Sequence, residues 1–269
     1  MRLRTRVNGF ASVAVKLISP ALIFVGTAVI KLRNNLKVCV FLIGFSPSLV
    51  FADECVVLLH GLARISNSMG ELESKLSRAG FSVTNVEYPS LKHGIETLSA
   101  EAVGQGIQGC LKKHSESIHF VTHSLGGILV RHYFEKQSLS KLGRVVMLGP
   151  PNQGTKLVDR LMGFPGFSLL GPTASRLGTS PDSILHKLGP VSYEVGVIAG
   201  RRNITPMGYF WLGRPNDSIV TVESTRVEGM SDHIILPVTH TFMMRNNKVI
   251  DHTINFLKFG RFIRNDKNN

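Results

Sequence analysis

Ile118-His119-Phe120-Val121-Thr122-His123-Ser124-Leu125-Gly126-Gly127 reads as a short apolar strand that turns sharply on Ser124 and leaves as a helix. Isoleucine, phenylalanine, valine and threonine suit a pleated, buried strand. The turn resembles a Gly-x-Ser-x-Gly elbow, a device that lifts a serine hydroxyl above the edge of a sheet. Thr122 replaces the first glycine of that pattern. The flanking positions must be small for strand and helix to approach closely, and threonine is small. Taken alone, Ser124 reads equally as the N-cap of the helix Leu125 to Arg131. The surrounding chain decides between the two.

Around this stretch, six apolar runs alternate with helical spacing: Glu54 to Leu59, Phe81 to Glu87, Ile118 to Thr122, Arg144 to Leu148, Glu194 to Ala199 and His233 to Val238. Strands separated by helices predict right-handed crossovers and an α/β fold with a mainly parallel sheet of about six strands. The first helix is expected to start at an N-cap Ser66 or Ser68, bury Met69, Leu72, Leu76 and Ala79, and stop at Gly80. The second, from about Gly94 to Lys113, is expected to bury Ile95, Leu98, Ala102 and Leu111. No internal repeat or linker divides the chain beyond Asp53, which is long enough for one large core.

Residues 1–52 differ in composition. They carry seven basic residues and no acidic one, so more than half of the net charge of +13 belongs to them. The rest has no basic run of the kind that binds nucleic acid. Lys31 to Lys37 forms a basic n-region, Val38 to Val50 an apolar h-region, and Val50-Phe51-Ala52 a small-x-small cleavage signal, which together read as a secretory signal peptide. The expected location is periplasmic or secreted, with a membrane anchor as the alternative. An earlier apolar stretch, Ala11 to Ile30, is either an additional anchor or read-through upstream of a start near residue 29. Past the leader only Cys55 and Cys110 remain, an even pair that is expected to form a disulfide in an oxidising compartment, two buried thiols being the alternative.

An activated serine needs a base, a group that orients the base, and donors for an oxyanion, all delivered by loops at the C-terminal edge of a parallel sheet. The first strand ends in His60-Gly61-Leu62, whose turn is placed to aim the Leu62 backbone N–H at the same point as that of Leu125. An ordinary strand-to-loop turn is the plainer reading of His60-Gly61. His240 follows the last strand and is the candidate base, ahead of His233 on a strand and His252 on a helix. Asp217 follows the fifth strand and is the candidate orienting carboxylate, with Asp232 and Glu228 as alternatives. His123 either lines the pocket or is simply the neighbour of the serine.

The His60-Gly61 loop, the Thr122 to Gly127 elbow, Pro151-Asn152-Gln153-Gly154-Thr155, Asn216-Asp217-Ser218-Ile219-Val220 and His240 together resemble the α/β-hydrolases of the bacterial lipase and esterase type. The resemblance implies Ser124 as nucleophile, Asp217 as acid and His240 as base, acting on carboxylic esters through an acyl-enzyme. Ser218 stands where such lipases usually carry glycine after the acid. The apolar segment of about 156–190 falls where this fold carries a lid; it reads either as the wall of an acyl pocket that opens at a lipid surface or as a helix that covers the sheet. Acyl transfer to another alcohol uses the same triad and stays open, as does a non-catalytic envelope protein that holds lipid or a partner. The expected partner is an ester or lipid substrate, with association with a membrane surface through the lid or an uncleaved leader. No metal cluster, phosphate loop or dinucleotide fingerprint is apparent, so no cofactor is expected.

Overall fold

The computed structural model describes residues 53–264 and, before them, three strands: β1 (Val13–Val15), β2 (Phe24–Lys31) and β3 (Lys37–Gly44). These three pair antiparallel in the order β1-β2-β3 as a separate unit. The expected cleavage signal, Val50 to Ala52, lies outside the described residues.

The second unit is built on six parallel strands, β4 (Glu54–Leu59), β5 (Ser82–Val86), β6 (Ser117–His123), β7 (Leu142–Leu148), β8 (Val195–Gly200) and β9 (Asp232–Leu236). They lie in the order β5-β4-β6-β7-β8-β9. Parallel strands need crossovers, which lay helices on both faces and bury the sheet from both sides. The period of two along each strand divides the core accordingly. Cys55, Val57, Leu59 and Phe120 face one layer; Val56, Leu58 and Val121 face the other.

One layer holds α1 (Gly70–Arg78), with Leu72 and Leu76 buried. The other holds α2 (Ile95–Leu98) and α3 (Gly104–Leu111), joined through a π turn at Ser99–Val103, and α4 (Leu125–Lys136). Between β7 and β8 come α5 (Lys156–Leu161), α6 (Gly171–Ala174) and α7 (Ile184–Lys187), with α8 (Pro206–Phe210) between β8 and β9. The amphipathic α9 (Asn247–Phe259) packs Val249, Ile250, Phe256 and Leu257 on the α1 side. Among the described residues no helix is long and apolar enough to cross a membrane.

Two local expectations are corrected. Neither Ser66 nor Ser68 caps α1: both sit in a 3-10 turn, Ser66–Met69, where the Ser68 hydroxyl donates to the Ile65 carbonyl at 2.7 Å. The serines are spent inside the turn that precedes the helix. Leu111 is exposed rather than buried, because from the end of the π turn the inward face runs through Val103, Ile107 and Cys110. Cys110 instead reaches Cys55 at the start of β4, and the two form a disulfide with Cα atoms 5.7 Å apart. The helix returns to the edge of the sheet at which the strand begins, which is what brings the two sulfurs together.

The long excursion after β7 is tied at its root by one buried side chain. Arg131 of α4 donates from Nη1 to the Asn152 carbonyl and Oδ1, at 3.0 and 3.2 Å, and from Nη2 to the carbonyls of Leu188 and Gly189, at 3.0 and 3.4 Å. One planar guanidinium thus joins the first and last residues of a segment that is otherwise made of short helices.

Candidate active site

Ser124 sits between β6 and α4 at φ 51° and ψ −116°, a backbone conformation that L residues rarely adopt. Such strain persists only where the surroundings over-determine it, and here they do. The Ser124 N–H donates to Leu148 at 2.9 Å, and its carbonyl accepts from Gly127 at 3.0 Å. The close approach of helix to sheet is supplied by the later glycines. A Cβ on Gly126 would stand 2.7 Å from the Leu59 carbonyl oxygen, and one on Gly127 would stand 3.3 Å from Thr122 Oγ1. Position 122 accommodates threonine because the helix opposite it has no side chain there.

The other ends of the sheet converge on this serine. His240 opens a 3-10 turn, His240–Arg245, just past β9, and its Nδ1 donates to Asp217 Oδ2 at 2.7 Å. Asp217 is fully buried, and its Oδ1 accepts from the backbone of Ile219 at 3.0 Å and Val220 at 2.7 Å. Three donors on one carboxylate fix its plane. Gly149 lies beneath the pair, where a Cβ would stand 3.1 Å from His240 Nδ1 and 3.2 Å from Asp217 Oδ2.

The alternatives go elsewhere. Asp232 begins β9 at the opposite edge of the sheet, where it accepts from His233 N, Phe262 N and the Arg264 guanidinium. Glu228 is exposed. His233 Nε2 meets Thr225 Oγ1 at 3.0 Å, and His252 Nδ1 accepts from Ile263 N at 3.2 Å.

Leu62 follows Gly61 at the end of β4, and Leu125 is the first residue of α4. Among the described residues neither backbone N–H has an acceptor. His60 is a scaffold residue: it is buried, stacked on Tyr88 with ring centroids 4.0 Å apart, and hydrogen-bonded from Nδ1 to the Gly61 carbonyl at 2.9 Å. Burial holds its imidazole below the ordinary value and keeps it neutral.

Leu62, His123, Ser124 and His240 open into one cavity of about 320 Å³. Its other walls are mainly apolar and come from the excursion after β7, through Leu157, Val158, Leu161, Phe167, Leu170 and Leu177. The sequence reading missed the remaining wall, Met207 of α8 with Ile219 and Val220. A signal for α8 was present: Thr205 before Pro206 is a helix start, and the Thr205 hydroxyl accepts from Gly208 N at 3.0 Å.

Ser218 carries its own strain at φ 92°. Its N–H donates to Asn216 Oδ1 at 3.0 Å, its hydroxyl donates to Asn203 Oδ1 at 2.9 Å, and that hydroxyl oxygen accepts from Ile204 N at 2.9 Å. Glycine would reach this conformation without cost, whereas the serine is held there by hydrogen bonds.

A six-stranded parallel sheet with this elbow and these loop positions is an α/β-hydrolase fold of the kind found in lipases and esterases. A family model described as palmitoyl protein thioesterase matches residues 55–193, and the chain belongs to that family. A comparison with curated proteins gives no match. Among solved structures, the mature lipase BlEst2 of Bacillus licheniformis is similar at 15% identity and TM-score 0.62, over 78% of this chain and 93% of that one. Lipase B of Aspergillus fumigatus is similar at 16% identity and TM-score 0.56, over 78% of this chain and 54% of that one. The metagenomic carboxyl esterase MGS0156 is similar at 17% identity and TM-score 0.55, over 71% and 65%. At these identities the likeness is one of fold.

Proposed function

We propose that this chain is an exported serine hydrolase that cleaves esters or thioesters of hydrophobic acyl groups. His240 takes the proton from Ser124, the serine attacks the acyl carbonyl, and the N–H groups of Leu62 and Leu125 hold the oxyanion; as the adduct collapses the C–O or C–S bond breaks, and the leaving alcohol or thiol takes that proton from His240. Water then releases the acid from the acyl-enzyme, with His240 again as base. Asp217 keeps the imidazole in the tautomer that leaves Nε2 free to accept and steadies the charged form that follows. Each oxyanion donor is worth about 3 kcal/mol in a transition state of this kind, roughly a hundredfold in rate.

The observation that carries this reading is the 2.7 Å bond between His240 and the buried Asp217 in a cavity that also contains the strained Ser124. The apolar walls support a hydrophobic acyl chain, with segment 156–190 acting as the lid. The family description supports thioesters as well as oxygen esters. The disulfide is consistent with an oxidising compartment and so with removal of a leader ending near residue 52. Phe164, Leu169, Tyr209 and Phe210, on the segments that supply the walls, are exposed and suit contact with a lipid surface.

Fluorophosphonate labelling of the protein, with the modified peptide located by mass spectrometry, tests the mechanism. Adduct on Ser124, together with loss of p-nitrophenyl ester and acyl-thioester hydrolysis in Ser124→Ala, is the expected result. Hydrolysis by Ser124→Ala at the wild-type rate would remove the proposal. Product analysis with competing alcohols separates hydrolysis from acyl transfer.

A further inference from the structure

We infer that His123, the residue before the serine, is a positioning residue: its ring ties the backbone of His240 to the loop that carries the Leu62 N–H. This rests on the reading of Ser124 and His240 given above and assigns a part to a side chain outside that triad.

His123 ends β6 and is 2% exposed. Its Nε2 lies 3.0 Å from the His240 carbonyl oxygen, across 117 residues of sequence. A carbonyl only accepts, so Nε2 carries the hydrogen and the lone pair of the neutral ring falls on Nδ1. Burial first, then the neighbouring His240 ring and Arg64, outweigh the hydrogen bond to the His240 carbonyl, and the imidazole is held well below its ordinary value. The ring therefore stays a neutral, one-sided donor.

The peptide groups around His240 are consequently held on both sides. The His240 N–H donates to the Asp217 carbonyl at 3.0 Å, and the His240 carbonyl accepts from His123. The two imidazoles stand 4.8 Å apart, tilted by 48°. On its other edge the His123 ring fills the space beside Gly61, where a Cβ would come within 2.8 Å of Nδ1 and 3.2 Å of Ser124 Cβ. One ring thus touches the residue that bears the base and the turn that presents an oxyanion donor, and it is covalently joined to the serine.

Among the described residues Nδ1 has no hydrogen-bond partner despite its burial. A buried lone pair without a donor costs stability, and an apolar side chain of similar size would avoid that cost. What the imidazole adds at this position is the Nε2–H bond to His240.

Two substitutions separate this role from mere packing. His123→Gln keeps a donor at similar reach, and His123→Met keeps bulk without one. In folded protein, His123→Met is expected to lower kcat by about tenfold or more with KM within about twofold, and His123→Gln to recover most of the loss. The downfield proton resonance of the His240–Asp217 bridge should be sharp in wild type and His123→Gln and broadened in His123→Met. That resonance needs no turnover. If it responds in this way in a protein that cleaves no ester, positioning stands and the ester-hydrolase reading fails. Wild-type kcat and resonance in His123→Met, or equal losses in both variants, would overturn the inference. Should His123→Met not fold, His123→Asn takes its place, because its amide is too short to reach His240; activity equal to that of His123→Gln would then overturn it.

Discussion

Asp217 and His240 are joined twice, side chain to side chain at 2.7 Å and backbone carbonyl to backbone N–H at 3.0 Å. The second bond holds the two loops together whatever the side chains do, so the charge of Asp217 can be removed without moving it. In Asp217→Asn the amide oxygen can still accept from Ile219 and Val220, which turns the NH2 toward His240 Nδ1 and imposes the wrong tautomer. The expected result is a folded protein with kcat reduced by about 10³ to 10⁴. Steady-state kinetics beside circular dichroism checks it, and retention of more than a tenth of the activity would remove Asp217 from the mechanism.

The approach of α4 to β4 rests on Gly126. In Gly126→Ala the new methyl meets the Leu59 carbonyl oxygen at 2.7 Å and Leu59 Cβ at 3.0 Å, and neither can swing away. A loss of about 1–3 kcal/mol is expected, read as a lower denaturation midpoint with unchanged slope.

Ser218→Ala keeps the left-handed backbone but leaves Ile204 N without its acceptor and Asn203 Oδ1 without one of its donors. A destabilisation of about 1–3 kcal/mol is expected, lowering Tm by several degrees in a chain of this size. Differential scanning calorimetry measures it.

Acid is expected to weaken the fold through its buried histidines. Burial, with Arg144 nearby, pushes His119 down to about 4, and burial also lowers His60. The native state refuses a proton that the unfolded chain takes up near pH 6.5. The stabilisation is therefore complete above about 6.5 and is lost as the pH falls toward 4, on the order of 3 kcal/mol from His119 alone. Urea midpoints across that range should fall for wild type and fall less for His119→Gln.

Reduction of Cys55–Cys110 opens a loop with a sequence separation of 55. The chain-entropy model expects a loss of about 4 kcal/mol. Denaturation with and without reductant, or in Cys55→Ala with Cys110→Ala, tests the figure.

The strands were legible because a sheet buried on both faces writes itself as continuous apolar runs, and Glu54–Leu59 is read to the residue. That Ser124, Asp217 and His240 stand on loops past the C-terminal ends of strands was legible for the same reason, because the strands before them are. What escaped was set by backbone detail. Ser66 and Ser68 look like caps until a 3-10 turn takes them up, and a π turn decides which face Leu111 joins. The cavity wall from α8 is five residues long and punctuated by Pro206 and Gly208, too short for any periodicity to register. The tolerance of threonine at 122 depends on Gly127 across from it, a contact visible only once helix and strand are docked.

The Arg131 clasp divides the chain into a part that must keep its dimensions and a part that need not. Because one guanidinium closes Asn152 onto Leu188 and Gly189, the residues between them form a cartridge whose ends are already together before its contents are specified. Lengthening such a loop costs only slowly with its size. The part of the cavity wall that lies between Asn152 and Leu188 can therefore be exchanged as a unit, while Met207, Ile219 and Val220 and the loops that carry Ser124 and His240 are left as they stand.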